Sequence, residues 1–176
     1  MRLLIVLLLV GQSIFAQKYF TRTGTTEFKA SVDAFEPVEA TNKSTSAILT
    51  SSGDVASQLF VNAFKFKIAL MQEHFNENYM DSDTHPKATF RGKIESFDVE
   101  NISSKAYNLK GKLTVKGVAK EITVPIKLKK EGDKINLTGN FNVSPQDFNI
   151  KIPSIVRKKI ADKINISIDY ELNKKK

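Results

Sequence analysis

The chain has 176 residues, 27 of them Lys or Arg against 19 Asp or Glu, for a formal charge of +8, and it contains no cysteine. The lack of cysteine excludes a disulfide framework, thiolate catalysis and cysteine-ligated metal centres. The lysines are spread singly along the chain, as on solvated strand faces, so the charge does not indicate nucleic acid as a partner.

The first sixteen residues have the layout of a secretory signal peptide. Arg2 provides the positive start, residues 3–10 form an unbroken apolar run, and small or neutral residues follow up to Ala16. The apolar run is shorter than the about 20 residues that span a bilayer, which argues against a membrane anchor. We therefore expect cleavage near Ala16/Gln17, a single mature domain of residues 17–176, and a periplasmic or secreted location.

The first half of the mature chain predicts strands from a faint alternation of apolar and polar residues. Alternation starts at Phe28 after a turn expected at Gly24, and it returns at Ala88 after Pro86. Weaker strand candidates cover residues 36–41, 43–51 and 55–66, with a hairpin turn at residues 51–54.

Apolar residues at helical spacing interrupt these strands and predict a short amphipathic helix over about residues 67–78. The residues concerned are Ile68, Met71, Phe75 and Tyr79. The pattern between Pro153 and Asp162 allows a second short helix before the last strand.

Period-2 alternation dominates the second half. Residues 105–129 predict a hairpin around Gly117, a turn at 131–133 leads into a strand over 135–143, and a last strand covers 164–172. About eight strands at this spacing predict an all-β fold, either a sandwich or a barrel, with one or two short helices.

Small and aromatic residues at inward positions indicate whether the interior of a barrel would be filled by side chains or would hold a ligand. Gly92, Gly111 and Gly139 lie on the apolar faces of three strands, where glycine marks either close approach of a ligand or relief of sheet curvature. Six phenylalanines occupy positions that could line the interior: Phe60, Phe64, Phe66, Phe75, Phe90 and Phe141.

Catalytic motifs such as a phosphate loop, a nucleophile elbow or a zinc-binding His-Glu-x-x-His are absent from the sequence. Asp81, Asp83 and His85 at alternate positions could hold a metal ion, but a polar turn before a strand explains them equally well. We therefore predict no catalytic residue, no metal and no cofactor.

Three segments of the chain carry recognisable motifs: FKIALMQEHFNENYM (66–80) with HPKATF (85–90), GKLTVKGVAKE (111–121), and GNFNV (139–143) with DFNI (147–150). In their order and spacing they resemble the YceI-like family, bacterial periplasmic proteins with a lipocalin-like barrel that bind polyisoprenoid or related lipid. The resemblance implies an eight-stranded antiparallel lipocalin-like barrel. In the last segment Asn149 stands where glycine is usual, and asparagine also tolerates a positive φ. The resemblance covers about residues 18–172.

The resemblance implies a non-enzymatic protein that binds, stores or transports an amphiphilic lipid, such as a polyisoprenoid, an isoprenoid quinone or a fatty-acid-like ligand. Its partner would be an apolar or amphiphilic small molecule, and the protein would be a monomer or homodimer. The lysines at 174–176 are typical of a disordered tail, and weak contact with a membrane surface is the alternative interpretation of this run. Strand parity and family position together give the candidate ligand-binding residues Phe64, Phe66, Met71, His74, Phe75, Tyr79, Phe90, Leu113 and Phe141.

Two other functions stay open at this point. A barrel filled by its own side chains would be a structural or stress-related envelope protein without ligand. A small hydrolase or isomerase would need His74, or the group of Asp81, Asp83 and His85, as a general base within reach of a substrate.

Overall fold

The computed structural model describes residues 17–32, 36–103 and 105–175, so the predicted signal peptide lies outside the described residues. The described strands are β1 (Lys18–Ser31), β2 (Glu39–Thr50), β3 (Asp54–Phe60), β4 (Lys65–Phe66), β5 (Lys87–Ile94), β6 (Ala106–Val115), β7 (Val118–Glu131), β8 (Lys134–Val143) and β9 (Ile160–Lys174). Helix α1 (Ala69–His74) continues into a π-helical turn (Phe75–Tyr79), and 3-10 turns cover Val61–Ala63 and Pro145–Phe148.

Eight of these strands close into an antiparallel barrel. Their order around the sheet is β1, β9, β8, β7, β6, β5, β3 and β2, and β2 pairs back with β1. The two-residue strand β4 stands outside this ring and pairs with the start of β2. The predicted eight-stranded antiparallel barrel with a short helix is therefore confirmed.

Because neighbouring strands are antiparallel, their connections alternate between two ends of the barrel. One end, here called the terminal end, carries the outer ends of β1 and β9, the turns at 51–53 and 132–133, and the loop 95–103. The other, here called the helix end, carries α1 with its π-helical turn, the tight turn at Lys116 and Gly117, and the segment 144–159. Among the described residues, no helix combines the length and the apolar character that crossing a bilayer requires.

The terminal end is filled by a tightly packed core. Leu49 and Ile135 are completely buried, and Tyr19, Ile94 and Leu172 are nearly so. Burying a large apolar side chain stabilises the fold by about 1.5–3 kcal/mol. In the absence of disulfides, this core is a main source of the stability of the barrel.

Gly24 lies inside β1 and not in a turn, so that prediction was wrong. The register between β1 and β2 shifts on either side of Gly24, which indicates a bulge. A Cβ at this position would lie 2.6 Å from Cδ1 of Tyr170. Gly24 is therefore needed because the ring of Tyr170 occupies the space that a side chain would take.

The segments predicted as two strands, 36–41 and 43–51, form the single strand β2. The alternation looked broken because Asn42 and Thr45 are polar residues at buried, inward positions. The side-chain amide of Asn42 donates to the carbonyl oxygen of Phe60 at 2.9 Å, which compensates for its burial. The candidate strand 55–66 is also divided, since β3 ends at Phe60 and a 3-10 turn separates it from β4.

The second helix allowed between residues 153 and 162 is absent from the described structure of this segment. The amides of Val156, Arg157 and Lys159 each bond to the carbonyl three residues earlier, which gives consecutive turns. Strand β9 then begins at Ile160, which packs against the apolar residues of the helix end. Pairing of Ile160 with Ser31 of β1 extends β9 backwards into the sequence that looked helical.

Candidate ligand-binding cavity

A cavity of about 560 Å³ lies inside the barrel toward the helix end. Side chains from all eight barrel strands line it, together with α1, the π-helical turn and the segment before β9. Its volume falls within the roughly 300–1,000 Å³ of small-molecule sites, and most of its wall is apolar, as in such sites. The barrel is therefore not packed solid by its own side chains.

Three exposed side chains mark the mouth of the cavity. Leu70 and His74 belong to α1 and Lys159 immediately precedes β9, while the other described lining residues are buried or half-buried. All three lie at the helix end. The cavity is thus an apolar pocket that opens at the helix end and is closed at the other side by the packed core of the terminal end.

Four aromatic rings fasten the helical segment to the barrel beside the mouth. Phe75 stacks on Phe28 with ring centroids 5.3 Å apart, and it also contacts Phe66 at 5.1 Å and Phe64 at 5.7 Å. Each such pair contributes about 0.5–1.5 kcal/mol beyond simple burial. Because α1 itself has no buried residue and no side-chain cap at its first turn, Phe75 is its main attachment.

A hydrogen bond from the neighbouring hairpin also holds this segment. The ammonium group of Lys116 donates to the carbonyl oxygen of Tyr79 at 2.8 Å. Lys116 and Gly117 both have positive φ, as the two central residues of a type I′ hairpin turn do. The turn between β6 and β7 therefore positions a cation against the end of the π-helical turn.

A small polar cluster lies deep in the cavity wall. The hydroxyl of Thr26 is 2.9 Å from the hydroxyl of Thr45 and 3.1 Å from that of Tyr170. Burial raises the pKa of the Tyr170 hydroxyl, so this group is neutral at ordinary pH. The hydroxyls satisfy one another, which allows a polar group in an otherwise apolar wall.

The basic side chains of the cavity lie at its mouth. They are His74 and Lys159, and the described lining includes no Asp or Glu. A cationic ligand would find no counter-charge there, whereas a neutral or anionic head group would meet hydrogen-bond donors. The arrangement suits an amphiphile with an apolar tail inside and its head at the mouth.

All nine ligand-binding residues predicted from the sequence line this cavity: Phe64, Phe66, Met71, His74, Phe75, Tyr79, Phe90, Leu113 and Phe141. That they contact a ligand stays a prediction. Phe60 does not line the cavity, because its ring lies on the outside of β3, where the Lys87 ammonium is 5.2 Å from the ring centroid.

Sequence reasoning missed part of the lining. The segment before β9 contributes Ile150, Ile152, Val156 and Lys159, and β1, β2 and β9 contribute the polar cluster. Strand β9 also supplies Ile164, Ile166 and Ile168, whose alternation was the available signal for an inward face.

The strand glycines do not make room for a ligand. Gly92 and Gly111 are directly paired across β5 and β6, and a Cβ on Gly92 would lie 2.7 Å from Cζ of Phe90 and 2.9 Å from Cα of Gly111. A Cβ on Gly139 would lie 3.1 Å from a methyl carbon of Ile126. The structure therefore favours close packing in a curved sheet over the cavity interpretation of these glycines.

Asp81, Asp83 and His85 form a turn and not a metal centre. The described residues contain no cluster of three His, Asp or Glu side chains suited to hold a metal ion. The amide of His85 bonds to the carbonyl of Asp81 at 2.8 Å, and Asp81 has a φ of 48°. The polar-turn interpretation accounts for this segment.

A closed antiparallel barrel with an apolar cavity open at one end defines a lipocalin-like class of ligand-binding barrel. Within that class, the chain matches the YceI-like domain over residues 13–172, and it belongs to this family. No curated protein matches the chain at a significant level.

Solved structures share the fold over most of their length. BcnA of Burkholderia cenocepacia has 22% identity and a TM-score of 0.70, covering 84% of this chain and 95% of that one. A polyisoprenoid binding domain from Saccharophagus degradans, implicated in plant cell wall breakdown, has 11% identity and a TM-score of 0.78, covering 91% and 99%. The YceI protein of Campylobacter jejuni has 21% identity and a TM-score of 0.66, covering 81% and 88%.

Proposed function

We propose that this protein binds an amphiphilic lipid and carries or stores it without catalysis. The observation that carries the proposal is the one-ended apolar cavity of about 560 Å³, whose mouth bears His74 and Lys159. Removing an apolar tail from water gains about 25 cal/mol per Å² of buried surface, which supplies the driving force for binding. Membership of the YceI-like family supports the same ligand class.

The tail lies against the aromatic rings at the helix end and extends toward the polar cluster at Tyr170. The head stays at the mouth, where the imidazole of His74 and the ammonium of Lys159 are accessible donors. Polyisoprenoids, isoprenoid quinones and fatty-acid-like lipids all meet this description, and one of the structural neighbours is a polyisoprenoid binding domain.

The proposed place of action is the periplasm, or the exterior of the cell. The tripartite pattern of the first sixteen residues supports export with cleavage near Ala16, which leaves residues 17–176 as the mature domain. An apolar lipid needs such a carrier where it must cross water between membranes.

Native mass spectrometry of the protein purified from its own cell envelope, followed by lipid extraction, tests the proposal. We expect the mass of one bound lipid on the wild-type chain. Leu113→Trp, which places an indole in the cavity, should lower lipid occupancy severalfold, whereas Lys112→Trp on the outer face of the same strand should not. Repeated lipid-free preparations that also fail to take up a fluorescent fatty acid or a polyprenol would refute the proposal.

A further inference from the structure

Exposed apolar side chains are concentrated around the helix end of the barrel. Of the described residues, five large hydrophobic ones are exposed, and four of these lie at the helix end: Val32, Phe60, Leu70 and Ile155. Ile155 is 87% exposed and Leu70, at the mouth itself, is 56% exposed. Scattered exposed hydrophobic residues are ordinary, but their gathering around one opening indicates a surface that meets an apolar partner.

A basic segment surrounds the most exposed of these residues. Residues 151–163 carry five exposed cations against one exposed carboxylate, Asp162, and therefore a charge of +4. The cations are Lys151, Arg157, Lys158, Lys159 and Lys163. None of them takes part in the ion pairs found among the described residues, so their charges are available to an external partner.

A second cleft, of about 510 Å³, lies beside the mouth on the outside of this segment. Its polar side includes Lys151, Arg157 and Asp162, and it shares Pro145, Ile150, Ile152 and Ile160 with the wall of the main cavity. A phosphate-bearing head group fits the cations of such a cleft, and the shared isoleucines form an apolar wall between the cleft and the main cavity.

From these three features we propose that the helix end docks on the surface of a membrane that contains anionic lipid, with the 151–163 segment against the bilayer. Ile155 enters the interface, and the cations around it meet lipid phosphates. Apolar insertion together with basic residues is the combination that holds proteins at an anionic interface. Docking would allow lipid exchange between the membrane and the cavity, and this role rests on the proposed function. Docking itself can be measured independently of lipid binding in the cavity.

The charge distribution also sets the orientation. Glu73 and Glu77 are exposed on the α1 side of the mouth, so the 151–163 segment makes the first contact with an anionic surface. Lys174 and Lys175 lie at the terminal end, where the ammonium of Lys174 is 3.5 Å from a carboxylate oxygen of Asp133. Docking through that tail would turn the mouth away from the membrane. We therefore place the membrane contact at the helix end.

Sedimentation of the mature protein with vesicles tests the docking. We expect binding to vesicles of equal parts phosphatidylcholine and phosphatidylglycerol, weakened by salt, and little binding to phosphatidylcholine alone. The double reversal Lys158→Glu/Lys163→Glu should lower binding about tenfold or more, and Ile155→Ser should lower it severalfold. Matched controls are Lys110→Glu/Lys112→Glu on the outer wall of β6 and Phe20→Ser at the terminal end, which should bind nearly as the wild type does.

The docking proposal is wrong if the wild type does not bind vesicles that contain phosphatidylglycerol. It is also wrong if Lys110→Glu/Lys112→Glu weakens binding as much as the charge reversal in the 151–163 segment does. Uptake of a fluorescent fatty acid in vesicle-free buffer separates this result from the proposed function. Lys158, Lys163 and Ile155 line neither the cavity nor the outer cleft, so their variants should take up the fatty acid and melt as the wild type does. Loss of uptake in every variant and in the wild type would instead count against lipid binding.

Discussion

The closest backbone approach in the barrel wall requires glycine on both strands. A Cβ on Gly111 would overlap the carbonyl of Arg91 and the Cα of Gly92, so Gly111→Ala should force β5 and β6 apart. We expect a loss of about 2–3 kcal/mol in the free energy of unfolding, measured by urea denaturation. Gly132→Ala is the control, since a Cβ there meets nothing within 4 Å and only its φ of 59° is unfavourable. Equal losses for both variants would contradict a steric role for Gly111.

Asn149 closes the 3-10 turn that borders both the cavity and the outer cleft. Its φ of 56° and ψ of 28° are left-handed, which confirms the expectation that asparagine supports this turn in place of glycine. Its side chain is exposed, so changes there act mainly through the backbone. Asn149→Gly should change the unfolding free energy by less than about 0.5 kcal/mol, while Asn149→Val should cost about 1–2 kcal/mol in the same urea titration. A valine variant as stable as the glycine variant would exclude this conformational requirement.

Strand parity together with family position found the aromatic lining but not the polar part of the site. Leu113 and Phe141 lie on strands whose alternation is clear in the sequence, and Phe90 lies on one whose alternation is fainter, so their inward direction could be predicted. Thr26 and Thr45 gave no such signal, because only the folded barrel brings them within hydrogen-bond distance of each other. Lys159 was missed because its segment was interpreted as a helix.

Among the elements, α1 and its π-helical turn are attached to the barrel mainly through one side chain. Phe75 contacts three other phenylalanines, whereas α1 contains no fully buried residue. Phe75→Ala should therefore loosen the helical segment while the barrel stays closed, at a cost of about 1–3 kcal/mol because the ring is only half-buried. Amide exchange should rise over residues 69–79 and lipid affinity should fall, both compared with Glu73→Ala on the exposed face of α1. A uniform rise in exchange across β5 and β6 would contradict this local role.

The hairpins β6–β7 and β7–β8 were predictable because their connections are tight turns with glycine. Gly117 and Gly132 both have positive φ at the tips of hairpins, so turn chemistry and alternation gave the same answer. The first half has long β1 and β2 strands with a bulge at Gly24 and a buried amide at Asn42, and both features hide the alternation. These features follow from contacts with distant parts of the chain, which local patterns do not contain.

At the scale of the whole molecule, the two ends of the barrel differ in packing. The terminal end contains a dense core around Leu49, Ile135 and Leu172, and the helix end contains the cavity, its mouth and the exposed apolar side chains around it. A rigid end lets the other end keep an unfilled space, which is otherwise costly in a protein interior. The same division places the proposed membrane contact where the cavity opens.

This division predicts that stability and lipid binding respond separately to substitution. Leu172→Ala, in the dense core and outside the cavity lining, should lower the free energy of unfolding by about 2–4 kcal/mol. A lipid at about 100 times its Kd adds about 2.7 kcal/mol of apparent stability, and this increment should be the same in Leu172→Ala and in the wild type. In Leu113→Trp the increment should shrink, because the indole occupies the cavity. Thermal melts of the wild type, Leu172→Ala and Leu113→Trp, each with and without lipid, measure this increment. If Leu172→Ala lost the stabilisation by lipid, the terminal core and the cavity would act as one unit.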